Sequence, residues 1–332
     1  TISDSVTSIG AMAFSGCSGL TSITIPESVT NIGHYAFGHC KSLKNITIPG
    51  SVTSIHTWAF SGCTSLTEIK VATKNANYVS VNGVLYNKNK TTIMLYPAGK
   101  KDKTYNIIDG VTNIECEAFA YCTNLTSVTI PNSVTNIGDD AFFGCTSLTD
   151  ITIPHSVTSI GSDPFGDCEN LAEIKVVSDN SNYVSVSGVL YNKDKTLIIC
   201  YPAGKKDKTY NIIDGVTSID RGTFGGCESL TSVTIPDSVT SIGHSAFNGC
   251  TNLTYMIIPD SVTSIGYWVF MGCTNLKRIT IPGSLASIGR MDFYYCTSLT
   301  NVTIPDGVTE IEDSAFYSCT SLTSITIPAS VK

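Results

Sequence analysis

Charged residues are scarce in this 332-residue chain, where Lys, Arg, Asp and Glu together make up 14% of the sequence. Typical soluble domains contain about a quarter. Because hydrophobic residues make up 42%, a sizeable core is available, and the surface must be covered by uncharged polar side chains, of which Ser, Thr and Asn are abundant. The net charge of -7 argues against a general nucleic-acid-binding protein, since phosphate contacts need a basic surface.

Long apolar runs are also lacking. None approaches the roughly 20 residues that span a bilayer, and the first residues do not follow the basic, apolar and small-residue order of a signal peptide. We therefore expect no membrane insertion of this segment, and we expect a monomer. Residues 1–10 already resemble the middle of a repeat, so we interpret the chain as a fragment whose own ends do not reveal its targeting.

Catalytic and ligand-site motifs are absent too. The chain has no G-x-S-x-G, no H-E-x-x-H, no glycine-rich cofactor loop and no C-x-x-C pair, and its five histidines are scattered along the sequence. We therefore predict a protein that is not an enzyme, with no cofactor and no metal site.

What the sequence does contain is a 23-residue repeat. Cysteines occur at 17, 40 and 63, at 122, 145 and 168, and at 227, 250, 273, 296 and 319, so every step is 23 except two steps of 59. Each long step therefore holds 36 additional residues (59 - 23). The segments Leu66–Leu125 and Leu171–Leu230 are near copies at an offset of 105, which indicates that a whole block was duplicated.

The repeat begins with a pattern that predicts a short strand. In the unit Leu20–Ser42, Leu20, Ile23 and Ile25 follow the order L-x-x-L-x-L, with alternate side chains turned inward. Pro26 is predicted to end the strand, because proline has no N–H for a parallel ladder.

The second half of the unit is predicted to return the chain to the core. Gly33 should permit a turn, and Ala36 with Phe37 should lie on a short turn or single helical turn that points inward. A single coil of this kind cannot close a core, so neighbouring coils must stack to bury their apolar columns.

The consensus L-x-x-I-x-I-P-x-x-V-x-x-I-G-x-x-A-F-x-x-C occurs eleven times and covers essentially the whole chain. It resembles the BspA-like leucine-rich-repeat family of bacterial and protozoan cell-surface proteins. The resemblance implies a mostly-β leucine-rich-repeat solenoid: a curved right-handed coil stack, with a parallel sheet on its concave face and short strands and single helical turns on the other side. It also implies a secreted or cell-surface protein, for which adhesion to host or matrix proteins is the usual proposed role.

We predict one continuous solenoid over residues 1–332, with long coils at about 66–122 and 171–227. Eleven of the thirteen cysteines are predicted to be a packing column of buried free thiols, while Cys116 and Cys200 lie off this column. Disulfides between stacked coils are disfavoured by parallel Cβ directions, and an odd number of cysteines cannot pair completely.

Each long coil is predicted to carry a β-hairpin around NKNK or NKDK, closed by a Pro-Ala-Gly segment. In one interpretation, the lysines of these insertions lie in solvated turns and discourage strand pairing at the sheet edge. In the other, they bind an acidic partner or a polyanionic glycan. They supply 10 of the 20 basic residues of the chain: Lys88, Lys90, Lys100, Lys101, Lys103, Lys193, Lys195, Lys205, Lys206 and Lys208.

The exposed side of the main strands is predicted to be largely a threonine ladder, which β-propensity alone favours, although ice-binding solenoids use similar hydroxyl arrays. The clearest break occurs where Tyr255 and Ile257 replace small polar residues, next to Lys277 and Arg278 on the following coil. Exposed aromatic, aliphatic and arginine side chains together are typical of a binding hot spot, with drift in a tolerant repeat as the alternative.

These features predict a non-catalytic protein-binding or adhesion module whose ligand is a host or extracellular-matrix protein. Two alternatives remain open: a structural surface spacer, and polyanion or glycan binding through the lysine-rich hairpins.

Overall fold

The computed structural model describes residues 2–332, and in that range it consists of strands and turns with no helix. The coils group into two compact units, Thr1–Cys168 (unit 1) and Glu169–Lys332 (unit 2). Within each unit successive coils pair their strands in parallel, so each unit is a β-solenoid. The predicted mostly-β coil stack is confirmed, whereas continuity over the whole chain stays a prediction.

Unit 1 contains a row of main strands, a row of two-residue strands, and an inserted meander. In chain order the strands are β1 (Ser8–Ile9), β2 (Asn31–Ile32), β3 (Asn45–Ile48), β4 (Ser54–Ile55), β5 (Glu68–Val71), β6 (Tyr78–Val81), β7 (Val84–Asn87), β8 (Thr92–Leu95), β9 (Thr104–Asn106), β10 (Asn113–Ile114), β11 (Ser127–Thr129), β12 (Asn136–Ile137), β13 (Asp150–Ile153) and β14 (Ser159–Ile160). The main row includes the parallel pairs β3–β5 and β9–β11.

Unit 2 repeats this plan with more coils after its meander. Its strands are β15 (Glu173–Val176), β16 (Tyr183–Val186), β17 (Val189–Asn192), β18 (Leu197–Cys200), β19 (Thr209–Asn211), β20 (Ser218–Ile219), β21 (Ser232–Thr234), β22 (Ser241–Ile242), β23 (Tyr255–Ile257), β24 (Ser264–Ile265), β25 (Arg278–Thr280), β26 (Ser287–Ile288), β27 (Asn301–Thr303), β28 (Glu310–Ile311) and β29 (Ser324–Thr326). Main-row pairs here are β19–β21, β23–β25 and β27–β29.

The strand pairing keeps the 23-residue register, so like residues stack on like. Ile9, Ile32 and Ile55 pair in sequence across β1, β2 and β4. The phenylalanine column stacks in the same way, with 5.5 Å between the ring centroids of Phe37 and Phe60. Each coil contributes one phenylalanine to this column, and the stacked coils together form the core that no single coil has. Each fully buried large side chain contributes roughly 1.5–3 kcal/mol.

The segment 20–26 differs from the prediction, because it carries no strand although it has the full L-x-x-L-x-L pattern. Only one weak backbone contact holds it to the next coil, from Lys44 N to Thr21 O at 3.3 Å. The regular main strands begin one coil later, at β3, which pairs with β5 over four residues. A favourable strand sequence therefore becomes a strand here only where a neighbouring coil offers a full ladder.

Each predicted turn at the Ala-Phe pair is a turn and not a helical turn. Ala36 N donates to Gly33 O within its own coil, but Phe37 N donates to Ala59 O of the next coil at 2.8 Å. Backbone hydrogen bonds within a coil therefore alternate with bonds to the next coil. A helix needs consecutive hydrogen bonds within one segment, so none forms here.

Glycine has a different role in this turn from the one predicted. Gly33 does not have a positive φ; a Cβ atom there would lie 2.7 Å from Ala11 N of the preceding coil. The left-handed positions are occupied instead by Tyr35 (φ 50°) and His39 (φ 57°). Glycine is required for the close approach of two coils, while the turn itself accepts large side chains.

Hydroxyl groups join the coils in place of charges. Ser28 Oγ donates to Val6 O at 2.7 Å, and Thr30 Oγ1 donates to Thr7 O at 3.2 Å. The same bonds recur along both units, for example from Ser238 to Val216 and from Thr240 to Thr217. The abundance of Ser and Thr is therefore partly structural.

The column cysteines are confirmed as free thiols, and they are buried except for Cys17, which is exposed, and Cys319, which is half-buried. Cys63 Sγ donates to Phe37 O at 3.0 Å, and Cys250 Sγ donates to Phe224 O at 3.1 Å. Burial raises the pKa of these thiols, to about 12 for Cys250, so they stay protonated and unreactive.

The first long coil (residues 66–122) and the second long coil (residues 171–227) contain more strands than predicted. The hairpin around NKNK is confirmed as β7–β8, but a second hairpin precedes it, in which β6 and β7 are joined by Asn82 (φ 51°) and Gly83 (φ 82°). Asn-Gly is a strong hairpin signal because both residues accept positive φ. The last strand, β8, then pairs in parallel with β10 and returns the chain to the stack.

A buried asparagine anchors each meander. Asn75 is 1% exposed; its Nδ2 donates to Pro49 O and Val52 O, and its Oδ1 accepts bonds from the backbone N–H groups of Asn77 and Tyr78, all at 2.8–3.0 Å. The equivalent residue of the second long coil, Asn180, is fully buried and also accepts two backbone N–H bonds.

Candidate functional site

Tyr255 and Ile257 project from β23 into solvent, with 52% and 58% of their surface exposed. Met256 between them is buried and holds the strand to the core. Strand β25 pairs with β23 so that Arg278 lies directly beside Tyr255 and Thr280 beside Ile257. Because Lys277 immediately precedes Arg278 and is exposed, the structure brings all four predicted residues together; we call them the strand-face patch.

The strand-face patch contains basic side chains and borders a groove whose charged residues are acidic. A surface groove of about 480 Å³ runs beside Tyr255 and Ile257, and Asp237 and Asp260 lie along it. The basic side chains of Lys277 and Arg278 belong to the next coil along. This surface offers apolar area flanked by acidic groups in the groove and basic groups beyond Tyr255, a combination that favours a protein over a uniformly charged polymer.

Neighbouring coils show that the fold does not need these side chains. At the position of Tyr255 the adjacent coils have Ser232 and Arg278, and at the position of Ile257 they have Thr234 and Thr280. Exposed large apolar side chains gain little stability for the folded chain.

Four of the ten hairpin lysines are tied to the protein itself. Lys88 Nζ donates to Asn75 O at 2.6 Å, and Lys193 does the same to Asn180 O. Lys100 Nζ donates to Asn82 O at 3.2 Å and lies 3.5 Å from Asp102 Oδ2. Lys205 repeats the Lys100 arrangement, with its Nζ 3.1 Å from Ser187 O and 3.5 Å from Asp207 Oδ2.

The two Asp–Lys pairs belong to a tyrosine network inside each long coil. Tyr96 OH donates to Asp102 Oδ2 at 2.8 Å, the Lys100 ammonium lies 5.8 Å from the Tyr96 ring centroid, and Tyr86 OH is 2.6 Å from Tyr105 OH. Burial raises the pKa of Tyr96 well above its usual range. The segment PAGKKDK is therefore partly a structural clasp.

Six hairpin lysines are exposed and form no ion pair within residues 2–332. These are Lys90, Lys101 and Lys103 in unit 1 and Lys195, Lys206 and Lys208 in unit 2.

Aromatic clusters on the turn side of the coils were missed from the sequence. In unit 2, Tyr294 and Tyr317 stack at 4.8 Å, and Tyr295 packs edge-on against both. In unit 1, the His34 ring lies 4.8 Å from Trp58 and 4.9 Å from His56. Their common signal is an aromatic residue at turn positions where other coils have Gly, Ser or Asp.

A cleft lies beside the unit 1 cluster. One wall is the turn of 55–61, the other is 115–117, and Leu85, Met94 and Leu95 form the floor. Burial is the main cause that raises the pKa of the Glu117 carboxyl, and the nearby charge of Asp140 raises it further.

Metal-binding and membrane-spanning features were also sought. Over the described residues, no three His, Cys, Asp or Glu side chains are grouped closely enough to hold a metal ion. No helix in that range has the length and hydrophobicity to cross a bilayer.

The comparisons with known proteins agree on one family. The model described as "BspA type Leucine rich repeat region" matches residues 1–98, 98–198 and 217–332 in six copies. No curated protein matches the chain.

Solved structures of bacterial leucine-rich-repeat proteins are similar over nearly the full chain. A leucine-rich cell surface protein of Faecalibacterium prausnitzii is 33% identical, covering 98% of this chain and 78% of its own, with a TM-score of 0.56. A leucine-rich repeat protein of Eubacterium ventriosum is 26% identical over 94% of this chain and 74% of its own, with a TM-score of 0.66. The pneumococcal vaccine antigen PcpA, at 21% identity over 93% and 80%, with a TM-score of 0.57, shares the fold.

Proposed function

The chain belongs to the BspA-type leucine-rich-repeat family, and we propose that it is the binding region of a secreted or cell-surface adhesin that holds a host or matrix protein through the strand-face patch. Repeats of this family are generally protein-interaction modules and are generally not catalytic. The name of the Faecalibacterium relative, a cell surface protein, supports this location.

The observation that carries the proposal is the pairing of Tyr255 with Arg278 beside exposed Ile257. Aromatic and arginine side chains dominate protein-interface hot spots because they bury large areas and offer directional polar contacts. Nothing in the fold requires them at these positions, since adjacent coils have Ser232 at the position of Tyr255, Thr234 at that of Ile257 and Asn301 at that of Arg278.

The test uses a triple variant that restores the residues of neighbouring coils: Tyr255→Ser, Ile257→Thr and Arg278→Asn. Binding to a panel of purified matrix and host-surface proteins is measured by surface plasmon resonance. We expect one or more saturable partners, with affinity reduced at least 30-fold in the variant, since losing two hot-spot side chains costs about 2 kcal/mol or more.

The control is Tyr317→Ser, which removes an exposed tyrosine of the turn side (53% exposed). It should leave the affinity unchanged. If no protein of the panel binds saturably, the adhesin proposal fails in favour of a surface spacer; if the triple variant binds as wild type, the partner uses another surface.

A second candidate function is polyanion binding, favoured by the exposed and unpaired state of Lys90, Lys101 and Lys103 and of their unit 2 counterparts. Replacing Lys101, Lys103, Lys206 and Lys208 by Ser should weaken binding to heparin and flatten its salt dependence, because fewer counterions are released. Unchanged heparin affinity at low and high salt would exclude this function.

A further inference from the structure

The cleft in unit 1 exists because the first long coil omits a turn. Ordinary coils stack turn on turn, as Ala36–Phe37 stacks on Ala59–Phe60. In the long coil, the backbone of Tyr96 takes this place and donates to Ala118 O at 2.7 Å. No turn therefore separates Trp58 from Glu117, and the space between them is floored by side chains of the meander.

Two polar atoms inside this cleft are buried without a hydrogen-bond partner in the protein: the indole Nε1 of Trp58 and the carboxyl Oε2 of Glu117. They are the only such side-chain atoms within residues 2–332. Buried polar atoms are normally paired, and each unpaired one costs about 1–3 kcal/mol. One is a donor and the other an acceptor, and they line the same small cleft.

The duplicated block supplies an internal control. At an offset of 105, the floor residue Leu85 corresponds to Leu190, whereas Trp58 corresponds to Asp163 and Glu117 to Gly222. The near copy keeps the scaffold without the donor or the acceptor. The scaffold therefore does not require them, and this donor and acceptor occur together in the first copy of the duplicated block and not in the second.

The ligand must satisfy three conditions: an acceptor for Trp58 Nε1–H, a donor for Glu117 Oε2, and an apolar group for the floor of Leu85 and Leu95. The enclosed volume of about 30 Å³ admits two or three water-sized groups, at roughly 10–15 Å³ each. An ammonium ion would leave Trp58 unpaired, and an anion would be repelled by Glu117 and by Asp140, whose charge acts on Glu117.

We propose that this cleft binds the acetamido group of an N-acetylated, uncharged amino sugar, with the carbonyl on Trp58, the N–H on Glu117 and the methyl on the floor. The acetamido group has one acceptor, one donor and one methyl, which matches the three conditions. His56 lines the cleft and is backed by the His34 ring at 4.9 Å, so the sugar meets an aromatic surface for its C–H face. This site goes beyond the strand-face patch and does not depend on it.

The chain has only two tryptophans, so its amide-correlation NMR spectrum contains only two indole N–H signals. Trp268→Phe removes one and leaves the Trp58 signal assigned. On titration with N-acetylglucosamine we expect a saturable shift of this signal, with a Kd in the millimolar range, as is usual for about −4 kcal/mol of binding free energy. Glucose should produce no shift at the same concentrations.

A matched pair of variants tests the acceptor. Glu117→Met should fold, because Met12 and Met291 occupy the equivalent turn position with φ of 58° and 55°. It should weaken binding at least tenfold, while Ser314→Met, at the same position of a unit 2 coil, should bind as the parent.

Three outcomes overturn the proposal. Absence of any saturable shift means that water alone satisfies the two atoms. Tighter binding of glucosamine than of its N-acetyl form identifies an ammonium site. Tighter binding of N-acetylalanine methylamide than of the sugar assigns the cleft to a peptide amide.

Discussion

The first and second long coils are nearly identical inside and different at their borders. Tyr86 and Tyr105 join their hydroxyls at 2.6 Å in one, and Tyr191 and Tyr210 at 2.5 Å in the other. At the turns that flank the meander, the two copies differ in sequence. Buried hydrogen-bonded groups tolerate little change, because each lost partner leaves a desolvated polar atom, whereas exposed turn positions have no such constraint.

The two copies of the duplicated block differ in the residues that flank their meanders. Trp58 and Glu117 flank the first meander, where the second copy has Asp163 and Gly222. The strand-face patch likewise occurs in unit 2 without a counterpart among the equivalent strands of unit 1, where Ser and Thr predominate. In a repeat protein, a residue that differs from the others at its repeat position is thus a better guide to function than a residue that matches them.

The largest expected effect comes from the anchoring asparagines, and it tests whether the interiors of the first and second long coils are equally stable. Asn75→Ala and Asn180→Ala should each reduce the free energy of unfolding by about 3–5 kcal/mol, because several buried hydrogen bonds lose their partner. Thermal unfolding measures the effect, with exposed Asn77→Ala and Asn182→Ala as near-neutral controls. A large effect in one copy only would break the equivalence.

Asp292 is an acidic residue at a repeat position that is apolar in other coils of unit 2, where Ala246 and Ala315 occupy it. Burial raises the pKa of Asp292 from 3.8 to about 7 despite bonds from Val269 N and Gly289 N. A raised carboxyl pKa favours the protonated folded state, so stability falls as pH rises from about 4 to about 7, by up to about 4 kcal/mol.

The measurement is the difference in unfolding free energy between wild type and Asp292→Ala across that pH range. We expect the wild type to lose stability relative to the variant as pH rises, with no further change above pH 8. A parallel pH dependence for the two proteins would show that Asp292 is ionised in the fold throughout.

A smaller effect concerns the tyrosine clasp. Tyr96→Phe and Tyr201→Phe each remove one hydroxyl that donates to a carboxylate, at 2.8 Å and 3.0 Å respectively. Each should cost about 1–2 kcal/mol, measured by denaturant unfolding. Unequal losses of unfolding free energy for the two variants would show that the two long coils differ in local stability although their hydrogen bonds are alike.

The smallest effect separates structural from free lysines. Lys100→Met removes a carbonyl bond, an ion pair and a ring contact from a side chain that is 19% exposed, and should cost about 1 kcal/mol. Lys101→Met, at an exposed neighbour, should change the melting temperature very little. Equal shifts for the two variants would contradict the clasp.

Much of the fold could be predicted because the repeat presents each buried column eleven times. The Phe and Cys columns and the hairpin around NKNK all occur as the spacing predicts. The hairpin at Asn82-Gly83 carried a recognisable turn signal that went unused. The buried roles of Asn75 and Lys100 could not be predicted, since both residue types are usually exposed and their partners lie up to 26 residues away.

The candidate sites divide in the same way. Tyr255, Ile257 and Arg278 could be recognised from the sequence, because strand periodicity alone fixes which side chains face outward and which residues are neighbours at a spacing of 23. The cleft could not, because it depends on a turn that the first long coil leaves out and on two side chains that are 59 residues apart.

The sequence by itself determined the coil, its register and its apolar columns, since those follow from local periodicity repeated along the chain. Only the tertiary structure decided which polar side chains are buried or bonded to the protein itself: the anchoring asparagines, the unpaired Trp58 and Glu117 atoms, and four of the ten hairpin lysines, which bond to backbone carbonyls. The physical reason is that the burial of a polar group depends on what the neighbouring coil places against it, and no pattern within a single repeat contains that information.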